Sequence, residues 1–130
     1  MSRLLWICLG GAVGTGARYA TSTWLLKLTL GAFPLGTLVV NIVGSLLLGQ
    51  LMYLSLETEW VPETARVALS AGLMGGFTTY SSFSYESFRY FQGGAWRLGV
   101  LYVLVTVLGC LGACALGWVG ARWLRALWGG

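Results

Sequence analysis

The side chains with chemistry to offer are concentrated between Arg66 and Glu86, in the run Ser70-Ala-Gly-Leu-Met-Gly-Gly-Phe-Thr-Thr-Tyr-Ser-Ser-Phe-Ser-Tyr-Glu86. On a helix Tyr80, Phe83, Ser84 and Ser87 share one face, and Thr78, Ser81, Ser82 and Tyr85 share another. No face of that half suits hydrocarbon, so it must be enclosed by protein or line a wet path. Gly75-Gly76 falls midway between Arg66 and Glu86, and with Thr78-Thr79 just after it this is where the helix is expected to break. A helix end inside a membrane leaves backbone groups without partners. Its carbonyls suit a hard cation such as sodium, whereas its amides favour an anion. Asn41, Arg18 and the hydroxyls add hydrogen-bond donors, and the aromatic rings add electropositive edges. That inventory suits a small, strongly hydrated anion whose lost water must be replaced by donors in close array.

Other chemistries are poorly supplied. The chain has no histidine, which removes most general-base, triad and zinc arrangements. Cys8, Cys110 and Cys114 are odd in number and lie in apolar stretches, where a thiol behaves as a small apolar group. Gly10–Gly16 lacks the spacing and the lysine of a phosphate-binding loop, so neither a nucleotide nor a nucleic-acid partner is expected.

The elements that must position these groups follow from the charges. Of 130 residues, 57% are apolar and 9% charged, against about 25% charged in soluble proteins. Twelve charges cannot cover a globule of this size, so lipid must be the solvent for much of it. Residues 28–56, 67–85 and 98–121 are uncharged, and Leu4–Trp24 is interrupted only by Arg18. Each stretch approaches or exceeds the ~20 residues a helix needs to cross the hydrocarbon. The reading is an all-α membrane protein forming one domain over 1–130, with spans near 4–26, 34–56, 67–87 and 98–121 and the third broken. The first stretch also has the charge layout of a signal peptide, but Arg18-Tyr19 and a further apolar turn prolong it and three more spans follow. Trp6, Trp24, Trp60, Trp96, Trp118, Trp123 and Trp128 fall at or beside the proposed ends, forming an aromatic belt.

Small and polar residues recur at helical spacing in each span. Gly10, Gly14 and Arg18 form one stripe, Thr37, Asn41, Gly44 and Ser45 a second, and Tyr102, Thr106, Gly109, Ala113 and Gly117 a third. An arginine at mid-membrane costs roughly 2.5–3.5 kcal/mol on insertion scales, so Arg18 should face protein, water or the interface. Four spans put Arg3, Arg66, Arg122 and Arg125 on one side, and Lys27, Arg89 and Arg97 on the other with Arg18 near that edge. The positive-inside rule then gives little basis for choosing an orientation, which permits insertion both ways up and an antiparallel homodimer.

The runs GGAVGTGARY at 10–19, FPLGTLVVNIVGSLLLG at 33–49 and GLMGGFTTYSSFSYE at 72–86 resemble the Fluc (CrcB) family of small membrane fluoride channels, and the resemblance covers essentially the whole chain. It implies a dual-topology antiparallel homodimer in the bacterial inner membrane, multi-pass and in contact with lipid, which exports fluoride passively. It also implies a structural sodium ion, not transported, held by backbone carbonyls of Gly75 and Thr78 from both subunits. By position, Asn41, Tyr80, Ser81, Ser82, Phe83, Ser84, Tyr102 and Thr106 would line the fluoride pathway, while Arg18 and Glu86 would lie at a vestibule or interface. The chain departs from the family pattern at Tyr80, where phenylalanine is usual, and at Ser82, where threonine is usual. Two rival readings are a proton-coupled small multidrug exporter, which needs a membrane-embedded carboxylate and finds only Glu86, and a non-transporting membrane assembly protein.

Overall fold

The computed structural model describes residues 2–29 and 33–128, whose regular structure is all helix, with no strand among them. The helices are α1 (Ser2–Thr29), α2 (Leu35–Leu56), α3 (Glu63–Val67), α4 (Gly75–Phe77), α5 (Tyr80–Gln92) and α6 (Trp96–Trp128). A π-helical segment, Ala68–Met74, joins α3 to α4. Pro34 stands at the head of α2, where a missing N–H costs nothing. At the far end of α5, Gly93 and Gly94 turn the chain into α6, and Gly94 takes φ +76°, a conformation that glycine adopts without strain.

α2 and residues 96–127 of α6 are long and apolar enough to cross a membrane. At 1.5 Å per residue α2 measures about 33 Å, close to the thickness of bilayer hydrocarbon. The side chains distribute as lipid would require. Leu108, Leu111, Leu116 and Leu124 point outward on α6, whereas Tyr102, Thr106, Ala113 and Gly117 face the other helices. So large an apolar exterior is incompatible with a monomer in water.

Close backbone packing, together with an apolar cluster of Leu38, Phe83 and Tyr102, holds the helices together. A Cβ on Gly49 would lie 2.2 Å from the Cys114 carbonyl oxygen, and one on Gly117 would lie 2.1 Å from that of Leu46, so α2 and α6 meet backbone to backbone. The same arrangement seats α1 against the interrupted helix. A Cβ on Gly10 would meet the Ala68 carbonyl oxygen at 2.7 Å, and one on Gly14 that of Leu73 at 2.1 Å. From the opposite side, Gly72 presses on Ile7 and Gly76 on Gly11. Trp118, placed by its sequence position in the aromatic belt, instead packs edge-on to Tyr53 of α2 with ring centroids 5.2 Å apart.

The interruption expected at Gly75-Gly76 with Thr78-Thr79 falls on the threonines and not on the glycine pair. Gly75 keeps right-handed helical angles and Gly76 continues α4, while the chain becomes extended at Thr78 (φ −83°, ψ 162°) and Thr79 (φ −151°, ψ 109°). Gly76 has a packing role, because a Cβ there would come within 2.5 Å of the Gly11 carbonyl oxygen. Gly14→Val should therefore separate α1 from its seat, at a cost of about 1–3 kcal/mol or more. In detergent it should lower the thermal midpoint well below that of Gly16→Ala, a change made where no atom lies within 4 Å.

Candidate functional site

The two-residue interruption is held by one side chain. Asn41 Oδ1 accepts from the Thr79 backbone N–H at 2.7 Å, and Asn41 Nδ2 donates to the Thr79 carbonyl at 3.0 Å. Both residues are buried, so these bonds form where water does not compete. The capture has a second effect. An uninterrupted helix would send the Thr79 N–H to the Gly75 carbonyl, four residues back. With that N–H on Asn41, the Gly75 carbonyl is released beside an open cleft.

Thr79 also starts the next helix. Its Oγ1 accepts from the Ser82 N–H at 3.2 Å, donates to Ser82 Oγ at 3.0 Å and lies 3.3 Å from Ser81 Oγ. It is therefore the N-cap of α5. The sequence pattern, a threonine three residues ahead of Ser82 at the head of an aromatic run, contains that signal, yet Thr79 was absent from the expected site. A helix N-terminus favours an anion in general, and here Thr79 caps one of its amides, that of Ser82.

The cleft beside the interruption has a volume of about 440 Å³ and draws its walls from five elements: Asn41 and Ser45 of α2, Met74 of the π-helical segment, Gly75 of α4, Phe83 of α5 and Thr106 of α6 among them. Thr106, 4% exposed, carries a buried Oγ1 with no hydrogen-bond partner. Tyr80 and Phe83 stand with ring centroids 5.6 Å apart, and Phe83 lies 5.5 Å from Tyr102. Phe83 and Tyr102 are buried, while Tyr80 is 79% exposed and reaches past the packed helices.

Of the other residues singled out in the sequence, Ser81 and Ser82 gather on Thr79, whereas Ser84 is exposed on α5 and is not brought to this group. Ser45 donates to the Asn41 carbonyl at 2.7 Å, which turns its hydroxyl back onto its own helix. Glu86 is tied from two sides: Thr37 Oγ1 donates to Oε1 and the Tyr102 hydroxyl to Oε2, both at 2.7 Å. One carboxylate thus joins α2, α5 and α6, and Thr37, which the stripe on α2 named without assigning it a role, belongs to the site. Arg18 follows Gly10 and Gly14 along α1 and brings Nη1 to 3.5 Å from the Thr78 carbonyl, a long contact.

For a metal, the oxygens on offer are backbone carbonyls. Gly75 is freed by the capture of Thr79, and Thr78, extended beyond the helix, is approached only by the Arg18 guanidinium among the described residues. Hard cations take such oxygens, so the donor set fits sodium in kind, and Arg18 sets a competing positive charge beside one of them.

An all-helical chain that turns leucines outward and gathers an amide, hydroxyls and free carbonyls around a helix interruption defines a small membrane protein of the transport type. The chain belongs to the CrcB-like family: the family's sequence model, described as CrcB-like protein, camphor resistance (CrcB), matches residues 5–118. It is 52% identical over 124 residues to a protein of Anaeromyxobacter dehalogenans named fluoride-specific ion channel FluC, covering 95% of this chain and 98% of that one. Proteins with the same name from Sorangium cellulosum and Citrifermentans bemidjiense are 48% and 40% identical over 126 and 127 residues, with 97% and 98% of this chain covered and 99% and 100% of theirs.

Replacing Asn41 by leucine keeps its approximate size but orphans both backbone groups of Thr79, at about 1–3 kcal/mol for each buried unpaired group. The detergent-purified variant should lose thermal stability accordingly, and the Thr79 amide should exchange with deuterium far faster than in the parent.

Proposed function

We propose that this chain is the subunit of a channel, not an enzyme, that lets fluoride leave the bacterial cytoplasm down its electrochemical gradient. It crosses the inner membrane four times and assembles as an antiparallel homodimer. The observation that carries the reading is the interruption pinned by Asn41, with the Phe83 ring lining the cleft beside it. The relatives named fluoride-specific channels give it the ion.

Fluoride is small and holds its water tightly, so a path must replace that water with donors and exclude larger anions by fit. The Asn41 amide, the first amides of α5 and the hydroxyls of Thr106, Ser81 and Ser82 supply the donors. The edges of Phe83 and Tyr80 offer weak positive surface without a full charge to trap the ion. Tyr102 and Thr37 lend their protons to Glu86, so the track beyond Phe83 ends in hydroxyls already oriented by a carboxylate. Sodium would be held by the carbonyls of Gly75 and Thr78 from two subunits, where it would supply fixed positive charge and tie the interrupted helices together; Arg18 and Glu86 would border the vestibules.

The multidrug-exporter reading needs a carboxylate free to exchange a proton for substrate. Both Glu86 oxygens are instead engaged by hydroxyls from neighbouring helices. A non-transporting assembly protein would use the glycines but has no need of a buried amide holding a helix open.

Liposomes loaded with potassium fluoride and reconstituted with the purified protein should release fluoride, and not chloride, once a potassium ionophore clamps the voltage. Absence of release would refute the channel, and release that depends on an opposing proton gradient would support the exporter. Asn41→Asp and Phe83→Ile should each reduce the flux at least tenfold, with the dimer still recovered by size exclusion. A cysteine placed at Thr58 should be labelled from both sides of the membrane; labelling from one side alone would exclude the antiparallel dimer.

A further inference from the structure

The outward face of α6 is not uniformly suited to hydrocarbon. Near its start Trp96, Arg97, Val100, Leu101 and Leu104 border an open groove of about 430 Å³, in which three aliphatic side chains lead away from one guanidinium. All five are exposed and lie on the opposite side of the helix from the buried Tyr102. Positions 96, 100 and 104 align as a stripe about 12 Å long at 1.5 Å per residue, and it begins where the apolar span begins. The mouth of the groove is held in place from α5. The Trp96 ring lies 5.2 Å from that of Phe91, and Gly99 admits the Phe91 ring so closely that a Cβ there would lie 2.6 Å from it. The groove shares no residue with the cleft beside the interruption.

Arg97 has no counter-charge of its own. Among the described residues it makes no ion pair or hydrogen bond, and no acidic residue follows Glu86 in the chain. Glu86 itself is tied to Thr37 and Tyr102. The other end of the bundle is balanced: Glu57, Glu59 and Glu63 accompany Arg3, Arg66, Arg122 and Arg125, and Arg3 pairs with Glu63 at 3.1 Å. A guanidinium at the edge of the hydrocarbon, beside an interfacial tryptophan and at the head of an apolar channel, complements a lipid that carries a phosphate and net negative charge. We propose that this groove binds an anionic phospholipid, with its phosphate on Arg97 and one acyl chain along Val100, Leu101 and Leu104. The inference rests on α6 lying in a bilayer and not on which ion is conducted.

The test uses the full-length protein in detergent, stripped of co-purified lipid. By native mass spectrometry it should retain phosphatidylglycerol about fivefold more strongly than phosphatidylcholine with the same chains, the factor equivalent to about 1 kcal/mol for one basic residue at a lipid surface. R97Q should remove that preference, R122Q at the far end of α6 should leave it intact, and L101W, which fills the groove, should weaken retention of both lipids. Should R97Q fail to fold, the wild-type chain decides in phosphatidylcholine vesicles: a small fraction of brominated phosphatidylglycerol should quench tryptophan fluorescence more than the same fraction of brominated phosphatidylcholine, and W96F should remove the excess. Equal retention of the two lipids, a preference that survives R97Q, or retention indifferent to L101W would each overturn the site. Displacement of the lipid by inorganic phosphate would reduce it to an anion contact and overturn the lipid. If L101W instead yields monomers on size exclusion, the face belongs to a second copy of the chain and the proposal falls. Recovery of the chain from the aqueous fraction without detergent would refute the membrane reading itself.

Discussion

The arrangement depends on two hydrogen bonds from one side chain. An isolated helix running through Thr78 and Thr79 would satisfy its own backbone, and leaving that state inside a membrane exposes groups with no water to receive them. Asn41 removes the penalty by presenting an acceptor and a donor together, so Thr79 leaves the helical ladder with both of its backbone groups paired. The release of the Gly75 carbonyl from the helical ladder is set by that exchange. The polar character of the site is thus a remainder of backbone bonding, localised by a single amide.

Holding the interruption in place requires that α1 come close, and the glycines let it. With Gly10 and Gly14 on one helix and Gly72 and Gly76 on the other, the backbones touch without side chains between them. The next position along the α1 stripe is Arg18, which that approach delivers to the Thr78 carbonyl. On the other flank α2 and α6 meet through Gly49 and Gly117, which sets Thr37 and Tyr102 where both can reach Glu86. Small residues thus act here as distance setters for polar ones, a division of labour suited to a solvent that offers no hydrophobic drive between helices.

Much of this was legible in the residues. The spacing of charges located the apolar helices, and the polar stripes on α2 and α6 turned out to be the buried faces. The break was legible to within Gly75–Thr79, but not which of these residues would leave the helix, because the glycine pair signals both flexibility and close approach and only the neighbouring helix decides between them. Gly76 faces Gly11, so packing won. The role of Thr79 was hidden for a related reason: its value lies in its backbone, which any residue has, and in a partner 38 positions away in the chain. Glu86 looked like an end of a track, and the hydroxyls that tie it down come from helices that sequence order does not place beside it.

The π-helical stretch Ala68–Met74 bears on how this chain tolerates change in length. A π turn accommodates one residue more than an α turn over the same rise. Here the surplus is stored between two fixed stations, the α3 end beyond Arg66 and the Gly76–Thr79 segment locked to α1 and Asn41. Losing one residue inside Ala68–Met74 would relax the stretch to α, but Ala68, Gly72 and Leu73 pack on α1 from within it, so their register on that helix would shift. The same loss inside α2 would rotate everything beyond it by about 100° and carry the Asn41 face away from Thr79. The extra residue of the π turn is therefore part of what sets Ala68 and Leu73 opposite Gly10 and Gly14 on α1.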